Sequence, residues 1–144
     1  MTITGDGCFL MSAPEISTAA REGLPVKFFV IDDQAYQFMQ QLQRPAYLQT
    51  TATILARMDY RAQAQAWGVG YQEITSNGDL EPCIRGALMQ PGPVLTRVVT
   101  DYGNRPIRWV SATRNRYFNE LSTDQKVRFL ARIGSRAVQM KQND

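Results

Sequence analysis

Six residues constrain this chain more than any others: Val26-Lys27-Phe28-Phe29-Val30-Ile31, set between Pro25 and the pair Asp32-Asp33. A strand that is apolar on both alternating faces has to be covered on both sides, which is the habit of parallel sheets flanked by helices. Val94 to Val99 has the same texture, and shorter runs at Met1–Thr4 and Val69–Thr75 read as two more strands. Between the runs the apolar residues recur at helical spacing. Strand and helix in alternation predict an α/β fold, a parallel sheet with helices on both faces.

Punctuation supports that order. Pro14 suits the first turn of a helix with Ser12 or Ala13 as N-cap, and Gly23 closes it. A second helix is expected from about Ala35 to Leu42, ended by Pro45, with Ala46 to Met58 as a loop holding at most one weak turn. Asp59 caps a helix carrying Tyr60, Ala64 and Trp67, stopped by Gly68. Asn77-Gly78 marks a turn, Asp79 caps a helix through Met89, and Pro91-Gly92-Pro93 precedes the last strand.

Composition removes several chemistries. Among 144 residues there is no histidine, which excludes Ser-His-Asp and Cys-His catalysis and any His-ligated metal within this chain. The two cysteines, Cys8 and Cys83, are far apart, which suits a reducing cytoplasm and supports neither a zinc site nor a disulfide framework. A metal site must then use oxygen ligands, favouring Mg²⁺ or Ca²⁺. No run approaches the roughly 20 apolar residues of a membrane span, and Met1 to Asp6 has no leader pattern, so a cytoplasmic location is expected.

One pattern points to chemistry. Gly5-Asp6-Gly7 lies where the first strand opens into a helix. Glycines admit a phosphate close to the backbone, and a helix start offers free N–H groups. Alone, such a triplet is commonly an ordinary turn. Asp33, however, falls 27 positions after Asp6, at the end of the next strand. Parallel strands joined by one helix set their C-terminal ends side by side, where open α/β sheets bind ligands. Asp6 and Asp33 are therefore expected to meet around one hard cation, at about 2.1 Å if it is Mg²⁺.

These residues carry a resemblance. Gly5-Asp6-Gly7, the helix with Glu15, Ile16, Thr18 and Ala19, and the strand ending at Asp32-Asp33 resemble the signature of thiamine-diphosphate-dependent enzymes. Asp59-Tyr60, Ala64, Ala66-Trp67-Gly68, Leu80 to Leu88 and Gly92-Pro93-Val94 extend the likeness to acetolactate synthase-like members, over about residues 1–100. The resemblance implies thiamine diphosphate and Mg²⁺ as cofactors and 2-oxo acid decarboxylation or carboligation as the activity. It makes Asp6 and Asp33 side-chain metal ligands and the carbonyl of Ala35 a third, with Gly5 in the phosphate-binding turn. The N–H groups of Gly7 and Cys8 would face the diphosphate, the Cys8 thiol taking no part. Asp32-Asp33 departs from the family's usual Asn-Asn, and Gln37 stands where many members have glycine.

The resemblance also implies what lies elsewhere: a pyrimidine-binding domain, from an N-terminal part or another chain, that supplies the activating glutamate. The chain is thus expected to be a fragment, a product of a mis-assigned start, or half of a split enzyme, inactive alone and homo-oligomeric when complete.

Residues 101–144 differ in style. They carry nine Lys/Arg against four Asp/Glu, whereas residues 1–100 carry seven against nine. A short helix is expected at about 109–119, then Ser122 and Gln125 form a capping box for a helix to about Met140. Phe129, Leu130, Ile133, Ala137 and Met140 make its apolar stripe, flanked by Lys126, Arg128, Arg132 and Arg136. Two domains follow: 1–100, the cofactor-binding part, and 101–144, a basic helical tail. The alternative function is a non-catalytic interaction module whose tail binds a partner or nucleic acid. Solvated helix faces are the commoner use of such charge, so nucleic acid is not the expected partner.

Overall fold

A computed structural model describes residues 1–103, 105 and 108–142. Four strands, β1 (Thr2–Gly5), β2 (Lys27–Asp32), β3 (Gly70–Ile74) and β4 (Val94–Val99), form one parallel sheet in the order β1-β2-β4-β3. Gly5 is level with Ile31, Asp32 with Val99, and Glu73 with Arg97. The expected α/β class with a covered parallel sheet is what forms.

Alternation along the strands sends side chains to two cores. On one face Val30 and Leu95 pack with Phe9, Ala13, Ile16, Tyr60 and Ala64. Those partners come from α1 (Asp6–Ser12), the turn after it, α2 (Glu15–Arg21) and α4 (Tyr60–Ala66). On the other face Phe29 and Val94 pack with Ala87 of α5 (Leu80–Met89). Lys27 points the same way as Phe29, and its buried ammonium donates to the carbonyls of Gln90 (2.6 Å) and Gly92 (2.5 Å). Those bonds are why a lysine fits inside an otherwise apolar strand.

Local chemistry corrects several boundaries. The first crossover holds two helices, not one beginning at Pro14. Pro14 has no N–H to donate into a continuous helix, so α1 closes with Ala13 N–H on the Phe9 carbonyl and α2 restarts at Glu15. Pro45 does not end α3, which spans Gln37–Tyr47 and stops at Leu48, in the left-handed region at φ 58°. A proline in a last turn removes a single donor, which this helix tolerates. Asp59 caps α4 as expected, accepting from Ala62 N–H at 2.9 Å. Asp79 does not cap α5. Its carboxylate reaches back to Thr75 and Ser76, closing a capping box over a 3-10 turn, Asn77–Asp79. Gly23 and Gly68 end their helices at φ 62° and 68°, a region that disfavours side chains.

The chain divides into two compact units, Met1–Ala35 with Leu55–Tyr102, and Tyr36–Ile54 with Gly103–Asp144. Residues 36–54, within the span expected as the first domain, group with the later part of the chain. The second unit contains α3, α6 (Arg108–Glu120) and α7 (Thr123–Gln142), with α3 touching both others. Ser122 and Gln125 make the expected reciprocal cap, at 2.9 and 3.3 Å. The stripe on α7 is only partly covered: Phe129 meets the ring of Phe118 edge-on at 5.9 Å, yet remains 40% exposed, and Leu130 57%. Pro106 and the side chains of Arg136, Ala137 and Met140 lie outside the described residues. No described helix is long and apolar enough to cross a membrane.

Candidate metal centre

The site is built where β1 and β2 end together. Gly5 closes β1 and stands as N-cap of α1 with ordinary dihedrals, φ −79° and ψ 160°. A Cβ placed there would meet nothing within 4 Å, so neither backbone strain nor packing demands glycine. The space beside the Gly5 Cα is open. Asp6, Gly7 and Cys8 form the first turn of α1, with the Cys8 thiol exposed.

Asp6 organises the turn. Its side chain is buried; Oδ1 accepts the N–H of Gly7 and Oδ2 the N–H of Gln34, each at 2.7 Å. Sequence reasoning missed Gln34. It sits at φ 59°, a rare conformation for a residue with a Cβ, and this turns its N–H toward Asp6. Its carbonyl accepts from Leu55 N–H at 2.9 Å, so the turn is held at both ends.

Asp33, the residue before it, is half-buried, with Oδ1 accepting the N–H of buried Ala35 at 3.4 Å. The Gln34 N–H bond to Asp6 Oδ2 brings the turn that follows Asp33 to Asp6. Burial, then the negative charge of Asp6, push the Asp33 pKa up from 3.8 to about 6, against the opposing pull of the Ala35 N–H. Two carboxylates facing one another repel when both are ionised, and a divalent cation removes that conflict. Among the described residues no three His, Cys, Asp or Glu side chains converge on one point, so any cation here needs backbone or ligand oxygens to complete its shell. The donor set, two acidic oxygens and no nitrogen or sulfur, fits Mg²⁺ better than a softer metal.

A second cluster lies beside this one and was also missed. Asp32, 3% exposed, takes Nε and Nη2 of Arg97 on one carboxylate oxygen, each at 2.6 Å, and the Tyr60 hydroxyl on the other at 3.3 Å. Nη1 of Arg97 reaches Glu73 at 2.6 Å, and the guanidinium lies 5.5 Å from the centre of the Tyr60 ring. Burial alone would lower the Arg97 pKa; the hydrogen bonds to Asp32 and Glu73 outweigh it and raise the value. Tyr60 is pushed well above the ordinary phenol range by burial, then by the charges of Asp32 and Asp6. One signal was available: an arginine inside the apolar run Val94–Val99, in phase with Leu95, needs an acid on the neighbouring strand.

A parallel sheet covered by helices on both faces, with Asp6 and Asp33 at the C-terminal ends of neighbouring strands, is an open α/β arrangement, the class that binds ligands at its strand ends. The family model "Thiamine pyrophosphate enzyme, C-terminal TPP binding domain" matches residues 1–98. The chain belongs to that family of thiamine-diphosphate enzymes, as its C-terminal binding domain.

Relatives agree. The chain is 30% identical to acetolactate synthase of Bacillus subtilis (strain 168) over 121 residues, which is 84% of this chain and 21% of the relative. With acetolactate synthase isozyme 2 large subunit of Escherichia coli (strain K12) it shares 33% over 103 residues, 69% of this chain and 18% of the relative. The chain thus spans about a fifth of the length of the curated relatives it matches. Among solved structures, benzoylformate decarboxylase from Polynucleobacter necessarius shares the fold, with a TM-score of 0.66 over 74% of this chain and 20% of that one, at 22% identity.

Proposed function

We propose that this chain binds the diphosphate end of thiamine diphosphate through Mg²⁺, as part of an acetolactate synthase-like enzyme acting on 2-oxo acids. The observation that carries this reading is the bond from the N–H of Gln34, the residue after Asp33, to Asp6 Oδ2 at 2.7 Å, which joins the two acidic positions at the ends of neighbouring parallel strands. Asp6 and Asp33 would hold the metal, with the Ala35 carbonyl as a third ligand. The open space beside Gly5 and the backbone of Gly7 and Cys8 would receive the phosphates.

When bound, the cofactor supplies the nucleophilic carbon and electron sink for decarboxylation or carboligation. The residues of this chain neutralise and orient its charged end. Activation of the aminopyrimidine belongs to a pyrimidine-binding domain from another part of the protein or another chain. On this reading the 144 residues alone bind without turning over. An interaction module with a basic tail has no comparable support, and Arg116 and Arg128 are paired with Glu120 and Asp124.

The test is a titration of the protein with thiamine diphosphate, with Mg²⁺ and with EDTA. Metal-dependent saturation that Asp6→Ala abolishes is the expected result. Binding indifferent to both metal and Asp6 would end the proposal.

A further inference from the structure

We infer that Arg97 is a positioning residue for the metal centre, fixing the end of β2 so that Asp33 meets Asp6. The inference rests on the Mg²⁺ reading above and adds a residue that would touch neither metal nor cofactor.

Asp33 is the first residue after β2, so its direction depends on where Asp32 is held. Asp32 is held at three atoms. Both carboxylate oxygens are engaged, by Arg97 and by Tyr60, and its carbonyl accepts the N–H of Thr100 at 2.9 Å. Arg97 is itself anchored, because its other arm reaches Glu73 on β3. One guanidinium therefore ties together β2, β4 and β3, near the end of the sheet where the turn Asp33-Gln34 begins. A planar fork does this; a single ammonium cannot face two acids with comparable geometry.

Charge gives the second reason. Asp6, Asp32 and Asp33 all lie at this end of the sheet. With Arg97 on Asp32, two carboxylates are left for a cation. Without it, Asp32 is a buried carboxylate lacking its cation, and it turns toward water or toward the metal. Either movement carries Asp33 with it. An open cavity of about 490 Å³, lined by Arg57, Asp59, Arg61, Tyr71, Glu73 and Arg97, borders the guanidinium. A substitute at position 97 thus has open space beside it.

The experiment measures Mn²⁺ binding to the full chain by the electron paramagnetic resonance of free Mn²⁺, well below the melting temperature of every variant. Arg97→Gln is expected to weaken Mn²⁺ binding on the order of 10–100-fold, the usual loss when a residue supporting a ligand is removed. Arg97→Lys is expected to fall between Gln and wild type. Val94→Ala, a core truncation in the opposite cluster, lowers stability without touching Asp32 and is expected to keep the wild-type Kd. Wild-type affinity in folded Arg97→Gln overturns the inference, as does an equal loss in Val94→Ala. Should Arg97→Gln not fold, Arg97→Lys decides: at least roughly threefold weakening supports the role, and an unchanged Kd refutes it. Asp6→Ala separates the two readings. If wild type binds no Mn²⁺, or Asp6→Ala binds as well as wild type, the metal centre itself is wrong. Loss in Asp6→Ala beside intact Arg97 variants removes only the positioning role.

Discussion

Gln34 donates its N–H to Oδ2 of Asp6 at 2.7 Å, a bond that closes the end of β2 onto the start of α1. With the Gly7 N–H on Oδ1, Asp6 satisfies two backbone donors before any ligand arrives. The same carboxylate would then bind metal through its remaining lone pairs. Asp6 is accordingly both a structural clamp and a ligand, and its loss is expected to show in both ways. Hydrogen bonds to a charged acceptor contribute about 1.5–3 kcal/mol each. Asp6→Ala is expected to lower unfolding free energy by about 3–6 kcal/mol in urea, besides abolishing metal-dependent cofactor binding. A variant of wild-type stability would show that the clamp is not formed.

Gln34 itself holds a left-handed conformation at φ 59°. A residue with a Cβ loses about 1–2 kcal/mol there, while glycine loses about 0.5–1 kcal/mol of extra chain entropy on folding. Gln34→Gly is therefore expected to gain about 0.5–1 kcal/mol in denaturant melts, with metal affinity unchanged. Gln34→Pro cannot adopt a positive φ and loses the N–H that Asp6 accepts, so it is expected to lose metal binding and stability together.

Asp33 makes a pH prediction whose sign is fixed. Its folded-state pKa, about 6, lies above the ordinary 3.8, so between those values the folded protein binds more protons than the unfolded one. Metal-free protein should lose stability as pH rises from about 4 to 6, through this carboxyl alone. Saturating Mg²⁺ favours the ionised pair and should reverse that slope. Asp33→Asn is expected to remove the metal-free slope while still binding cofactor, at higher Mg²⁺, since the amide oxygen coordinates without the charge. Asp33→Ala is expected to lose binding. If Asp33→Asn leaves the metal-free pH profile of stability unchanged and Asp33→Ala still binds, Asp33 is no more than a turn residue.

How much of this was legible depended on whether one residue's neighbours in sequence are also its neighbours in space. Val26–Ile31 and Val94–Val99 announced their strands because burial on both faces leaves no freedom in composition. Asp6 and Asp33 could be paired because a single βαβ crossover puts consecutive strand ends together. The Asp32–Arg97–Glu73 cluster joins positions 65 and 24 residues apart across three strands. Sequence spacing does not encode the order β1-β2-β4-β3 that brings them side by side. Gln34 was invisible for a different reason. Its left-handed backbone is imposed by Asp6 and Leu55 rather than favoured by its own side chain.

The second unit gives the last prediction, which separates packing from charge on α7. Phe129 meets Phe118 edge-on at 5.9 Å, an arrangement that contributes about 0.5–1.5 kcal/mol beyond the area it buries. Arg132 lies exposed three residues on, and a solvated charge contributes about 0–1 kcal/mol. Phe129→Ala is expected to lower the stability of the helical unit by about 1 kcal/mol, read from helical circular dichroism during thermal melts. Phe129→Asp is expected to lower it further, by setting a charge against the Phe118 ring. Arg132→Ser is expected to stay within about 0.5 kcal/mol of wild type. An inert Phe129 with a costly Arg132 would mean that α7 is held through its basic face, and the interaction-module reading would then regain its footing.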